Sequence, residues 1–187
     1  MNTWQFAPLH APSAALIQLI VWALGISLGL LAIWKNVRGM EKILKMPDGT
    51  PFLDALEHFL SEKHSTRAAE MSREELGFLA LRELSAQVRR SGFEGYFRSP
   101  SANYFSEALW CLRAIGAEHL AATAEEAAAQ FSCPVPELTA ERCAVMDTLP
   151  SACSVHWERL SEEFSRAGDS LSAPLNAFVR KNEREFR

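Results

Sequence analysis

His58 and Glu62 stand one helical turn apart, with Glu57 and His64 close by. At that spacing an imidazole and a carboxylate share one helix face and can exchange a proton. Catalysis would also need a nucleophile or a third ligand, and the neighbouring residues supply neither. The cluster therefore reads as a solvated face. The four cysteines, Cys111, Cys133, Cys143 and Cys153, lack a C-x-x-C spacing and fit no zinc pattern. They read as reduced thiols. No phosphate-cradling glycine loop, H-E-x-x-H or G-x-S-x-G occurs. The sequence thus offers no catalytic residue, no metal site and no cofactor. His119 and His156 stand alone in helical runs and read as surface or hydrogen-bonded side chains.

The stretch that invites a function is QVRRSGFEGYFRSP, residues 87–100, between two helical runs. One reading has Phe93, Tyr96 and Phe97 cap the core at a bend, with Gly92 and Gly95 allowing the tight backbone. The other makes Gln87, Arg90, Phe93, Tyr96, Phe97 and Arg98 a partner-binding site. The two combine if Phe93 and Phe97 point inward and the Tyr96 hydroxyl points outward.

The elements that must position this turn are helices. Ser72-Arg-Glu-Glu75 is a capping box. Leu76, Ala80, Leu84 and Val88 follow as a stripe at helical spacing, and Phe105, Leu109, Leu112 and Ile115 make a second. Gly116 closes that helix. Leu120, Ala124, Ala127 and Phe131 form the next stripe, and Cys133-Pro-Val-Pro136 breaks it. A short helix fits residues 137–147, and Pro150 interrupts again. Trp157, Leu160 and Phe164 carry one more helix; Leu171, Leu175, Phe178 and Val179 carry the last, after a Gly168-Asp169 turn. No run alternates as a strand would. The expected fold is an all-α domain over residues 50–187.

Ahead of it, residues 13–34 read SAALIQLIVWALGISLGLLAIW, with no charge. That length suits one membrane-spanning helix, since a bilayer core takes about 20 apolar residues. Lys35, Arg38, Lys42 and Lys45 follow, in a basic stalk over residues 35–49. Positive flanks stay cytoplasmic. The tail, residues 1–12, is then expected outside and the domain inside. A secretory signal would carry its charge before the apolar run instead. Gly25 and Gly29 form a G-x-x-x-G, which lets a second helix approach closely and would allow a homodimer. Residues 46–187 carry 15 basic and 22 acidic side chains, a net of −7, with no basic run. Direct nucleic-acid binding is not expected.

Three segments together bear a resemblance: QVRRSGFEGYFRSP, ALWCLRAIGAEHLAATAEEAAAQF and WERLSEEFSRAGDSLSAPLNAFVRKNEREF. They are similar to the DNA-mimic-protein-like domain family, a bacterial all-helical domain otherwise labelled as of unknown function. The likeness covers about residues 50–187. At the turn, Val88, Gly92, Phe93, Tyr96 and Phe97 match the family pattern, while Gln87, Arg90, Ser91 and Ser99 depart from it. The resemblance implies an all-helical domain in a bacterium. It also implies a mode of action in which acidic surface imitates DNA to sequester a basic protein. The expectation is a cytoplasmic protein-interaction module tethered to the inner membrane; the alternatives are a tethered acidic antagonist and, third, an uncharacterised enzyme.

Overall fold

Prolines and glycines divide the chain into helices much as their positions predict. The computed structural model describes residues 39–131 and 134–186. The predicted span, residues 13–34 with Gly25 and Gly29, lies outside the described residues. Among the described residues no helix is long and apolar enough to cross a membrane.

Residues 39–44 are helical, and seven α-helices follow: α1 (Thr50–Arg67), α2 (Arg73–Arg98), α3 (Phe105–Ala114), α4 (Glu118–Ala128), α5 (Thr139–Met146), α6 (Ser151–Gly168) and α7 (Ser172–Lys181). Short 3-10 turns join or follow them, one of them Pro100–Tyr104. No strand occurs among the described residues. Helix α2 is the central element and packs against α1, α3, α5 and α6.

Local chemistry sets the boundaries. The Ser72 hydroxyl accepts the Glu75 N–H at 3.1 Å, and the Glu75 carboxylate accepts the Ser72 N–H at 3.0 Å. This satisfies two donors that the first turn of α2 cannot pair internally. Glu75 is buried, and Lys63 of α1 donates to both its oxygens at 2.8 and 2.7 Å. One carboxylate thus caps α2 and ties α1 to it. Gly116, at a φ of 75°, lets the chain turn after α3. Most of the predicted stripe residues face inward: Leu84, Val88, Leu112, Ala124, Phe131, Trp157, Leu160 and Phe164 are buried, while Leu76, Leu109 and Ile115 are half-buried. The Trp157 indole donates to the Ala127 carbonyl at 2.7 Å, joining α6 to α4.

The compact domain begins earlier than residue 50. A compact unit runs Met40–Arg187, and Met40 and Leu44 are buried in its core. Arg180 of α7 bonds the Leu44 and Met46 carbonyls and the Asp48 carboxylate, and lies over the Phe52 ring. Much of the segment read as a stalk, residues 40–49, is therefore part of the fold. Its position is set by an arginine more than 130 residues away in sequence, which no local pattern announces.

Candidate functional site

Helix α2 bends at Gly92, whose φ of 67° and ψ of 179° lie outside helical space. Only glycine adopts that region without strain. A Cβ there would also come within 3.0 Å of the Ser161 hydroxyl on α6. The bend takes the Phe93 N–H out of the helical ladder, and Ser161 Oγ accepts it at 2.8 Å. Ser161 in turn donates to the Trp157 carbonyl at 2.5 Å. Three residues on, a Cβ at Gly95 would overlap the Ser91 side chain, so the second arm too depends on a glycine.

Beyond the bend the aromatics turn inward. Phe93, Tyr96 and Phe97 are each 0% exposed. Phe97 meets Phe105, Phe131 and Trp157 at ring-centroid distances of 5.5, 5.1 and 5.8 Å, and Phe93 meets Phe164 at 5.4 Å. They join α2, α3 and α6 into one core. The three rings are therefore packed in the core, and Phe93 alone of them also lines the groove between the bend and α6. The Tyr96 hydroxyl does not point outward. It is buried without a hydrogen-bond partner, and burial holds its pKa well above the usual tyrosine range.

Arg142 of α5 locks the exit from the bend. It is fully buried and faces carbonyls rather than a carboxylate. Its guanidinium donates to the Phe97, Ser99, Pro136 and Glu137 carbonyls at 2.5, 2.7, 2.7 and 3.1 Å, and to Asn103 Oδ1 at 3.0 Å. Burial draws its pKa below the ordinary value. A fork of five donors meets carbonyls from three segments at once, which a lysine cannot do.

Of the six candidates at the turn, Gln87, Arg90 and Arg98 keep polar atoms at the surface. Arg90 donates to Gln87 Oε1 at 2.7 Å. Arg98 donates to Asp147 at 2.8 Å and lies 3.5 Å from Glu94. Arg90 and Phe93 line a groove of about 610 Å³ between the bend and α6; Tyr96, Phe97 and Arg98 do not. Its far wall is Val155, Glu158 and Glu162. Val155 is 68% exposed, off the buried stripe of its own helix. The sequence signals missed here are that stray valine and Ser161, a small polar residue on an otherwise apolar stripe.

Three acidic residues of α4 and α6 are paired with bases. Glu126 meets Arg159 at 2.7 Å and His156 at 3.1 Å; Glu163 meets Arg159 and His119, both at 3.3 Å; Glu125 pairs with Arg113. His58 and Glu62 are 3.9 Å apart and both well exposed, and neither lines the groove that holds Arg90. Among the described residues no three His, Cys, Asp or Glu side chains gather as a metal site would require.

No curated protein and no solved structure matches the chain. Residues 69–182 match the family model of DMP19-like proteins, more than half the sequence and the part that holds the bend, the aromatic core and Arg142. The chain belongs to the DMP19-like protein family.

Proposed function

We propose that this domain is a protein-interaction module that receives its partner across the groove at the Gly92 bend. The groove itself carries the reading. Its floor is braced by buried aromatics, its rim carries charges of both signs, and Val155 stands exposed within it. An apolar centre with a polar rim is the usual anatomy of a protein contact. The family supports a role of this class. We further propose that residues 13–34 hold the module at the cytoplasmic face of a bacterial inner membrane, with the amino terminus outside. The uncharged run and the basic residues after it support this, and of those Lys42 and Lys45 are exposed at the start of the domain.

The second reading is a tethered antagonist that imitates DNA with acidic surface. The family and the net charge favour it. The pairing of Glu125, Glu126 and Glu163 with arginine and histidine weighs against it, because neutralised carboxylates do not present a phosphate-like row. The test is photo-crosslinking in cells from a benzoylphenylalanine at Val155, with Ala140 as an exposed control. The groove reading expects an adduct from Val155 that Arg90→Glu removes. Equal adducts from both positions, or indifference to Arg90→Glu, would count against the groove. A basic partner displaced by duplex DNA would favour the antagonist.

A further inference from the structure

We infer that a second, separate pocket, between α1, α2 and the Pro100–Tyr104 turn, binds a short alkyl chain ending in an ammonium or guanidinium group. The pocket measures about 270 Å³. That lies just under the ~300 Å³ at which drug-sized sites begin, so it suits a ligand of few heavy atoms. Leu79 and Ala80 form a buried apolar floor. Around it converge Glu83, Ser101, His64 and Tyr104.

The polar rim is built rather than scattered. His64 Nε2 lies 2.9 Å from the Tyr104 hydroxyl, with the two rings edge to face at 5.2 Å. Ser101 Oγ donates to Glu83 Oε2 at 3.4 Å. The wall that carries Ser101 and Tyr104 is fixed from behind, where Arg142 bonds the Ser99 carbonyl and Asn103.

Charge selects the ligand. Glu83 is half-buried and has no ion pair among the described residues. The cations that bridge α1 and α2 are committed elsewhere: Lys63 to Glu75, and Arg82 to Asp54 and Glu57. A carboxylate held beside an apolar floor with no cation of its own attracts one from outside. The Tyr104 ring adds a face that favours positive charge. An anion would meet Glu83 directly, and a neutral apolar ligand would strip its water without replacing it. A cation on an alkyl stem satisfies both floor and rim. That chemistry comes either from a free amine or guanidine, or from a lysine or arginine of a bound protein.

The test is titration calorimetry on the full chain in detergent, using n-butylguanidinium and n-butylammonium. Butanol and butyrate serve as neutral and anionic controls. Saturable binding of a cation is expected, with neither control competing. Glu83→Gln should weaken it by about tenfold or more, the scale of one hydrogen bond to a charged group. Glu74→Gln, the same charge change on the same helix but outside the pocket, should leave it intact. Ser61→Phe should block the mouth from an exposed position, which keeps the inference testable if Glu83→Gln misfolds. A blocked arginine peptide that binds more tightly than butylguanidinium assigns the site to a protein side chain; weaker binding assigns it to a free cation. Failure of both cations to bind, or equal affinity in Glu83→Gln and the unaltered chain, would overturn the inference.

Discussion

The Phe93 N–H and the Ser161 hydroxyl meet at 2.8 Å in the core, 68 residues apart in sequence. The contact converts a broken helix into a fixed bend. Gly92 releases one amide from the ladder of α2, and α6 supplies the acceptor at the point of release. Because α6 also forms the far wall of the groove, the bond that stabilises the bend also sets the spacing of the two walls.

Ser161→Ala should therefore do more than remove one contact. It leaves a buried N–H unpaired, which costs about 1–3 kcal/mol. Gly92→Ala should cost about as much from backbone strain alone, plus displacement of the Ser161 hydroxyl. Urea unfolding measures both losses. A change below about 0.5 kcal/mol in either variant would mean that the bend relaxes without its acceptor, within the range of neutral surface substitutions.

Helix boundaries were legible because their causes are local. The capping box at Ser72, the φ of Gly116 and the proline breaks act within a few residues. Burial of Phe93 and Phe97 was readable as one of two alternatives, since glycines beside aromatics mark a bend. The groove was not. One wall comes from α6, more than 60 residues downstream, and its exposed Val155 has no periodic signature. Arg142 was equally silent: a single arginine in a short helix reads as surface, and its acceptors are mostly backbone oxygens scattered over three segments. The pocket at Glu83 was hidden for the same reason: its lining comes from α1, α2 and the Pro100–Tyr104 turn, and His64 read only as part of a solvated face.

Arg142 tests how far buried charge can hold a loop-rich corner. Arg142→Lys keeps the charge but cannot span the same carbonyls, and Arg142→Ala removes the charge and leaves the carbonyls and a cavity. Each should destabilise the domain by about 3 kcal/mol or more, the range for breaking a buried charged network. Hydrogen exchange should rise first in residues 136–146, the segment pinned by this side chain. Uniform exchange across the whole domain would show that α5 has no separate stability.

The proposed tether has a fractionation test. The full chain should stay with membranes through carbonate washing. A charged residue at the centre of a span costs about 2.5–3.5 kcal/mol, so Leu24→Arg with Leu28→Arg should release it. A chain starting at Met40, where the compact unit begins, should melt cooperatively on its own. Recovery of the full chain in the wash would end the anchor proposal and leave the groove reading untouched.

Alkali should unfold the domain through two groups that are buried neutral. Burial pushes the Cys111 thiol from its ordinary 9.0 up to about 12. Tyr96 is raised for the same reason. Below pH 9 both are neutral, folded or unfolded, and their contribution is complete. As pH rises further, the unfolded chain loses protons that the folded chain keeps. Stability then falls by about 1.4 kcal/mol per pH unit for each such group, until the folded pKa is reached. The urea midpoint should therefore drop steadily between pH 9 and 12. Cys111→Ser keeps a similar size and does not ionise there, so its midpoint should fall less steeply. Iodoacetamide gives an independent reading: half-exposed Cys143 and Cys153 should react at pH 8, and Cys111 only once urea unfolds the chain. Parallel slopes for the two proteins, or ready alkylation of Cys111 in the native state, would show that the thiol is not held in the dry core between α2 and α3.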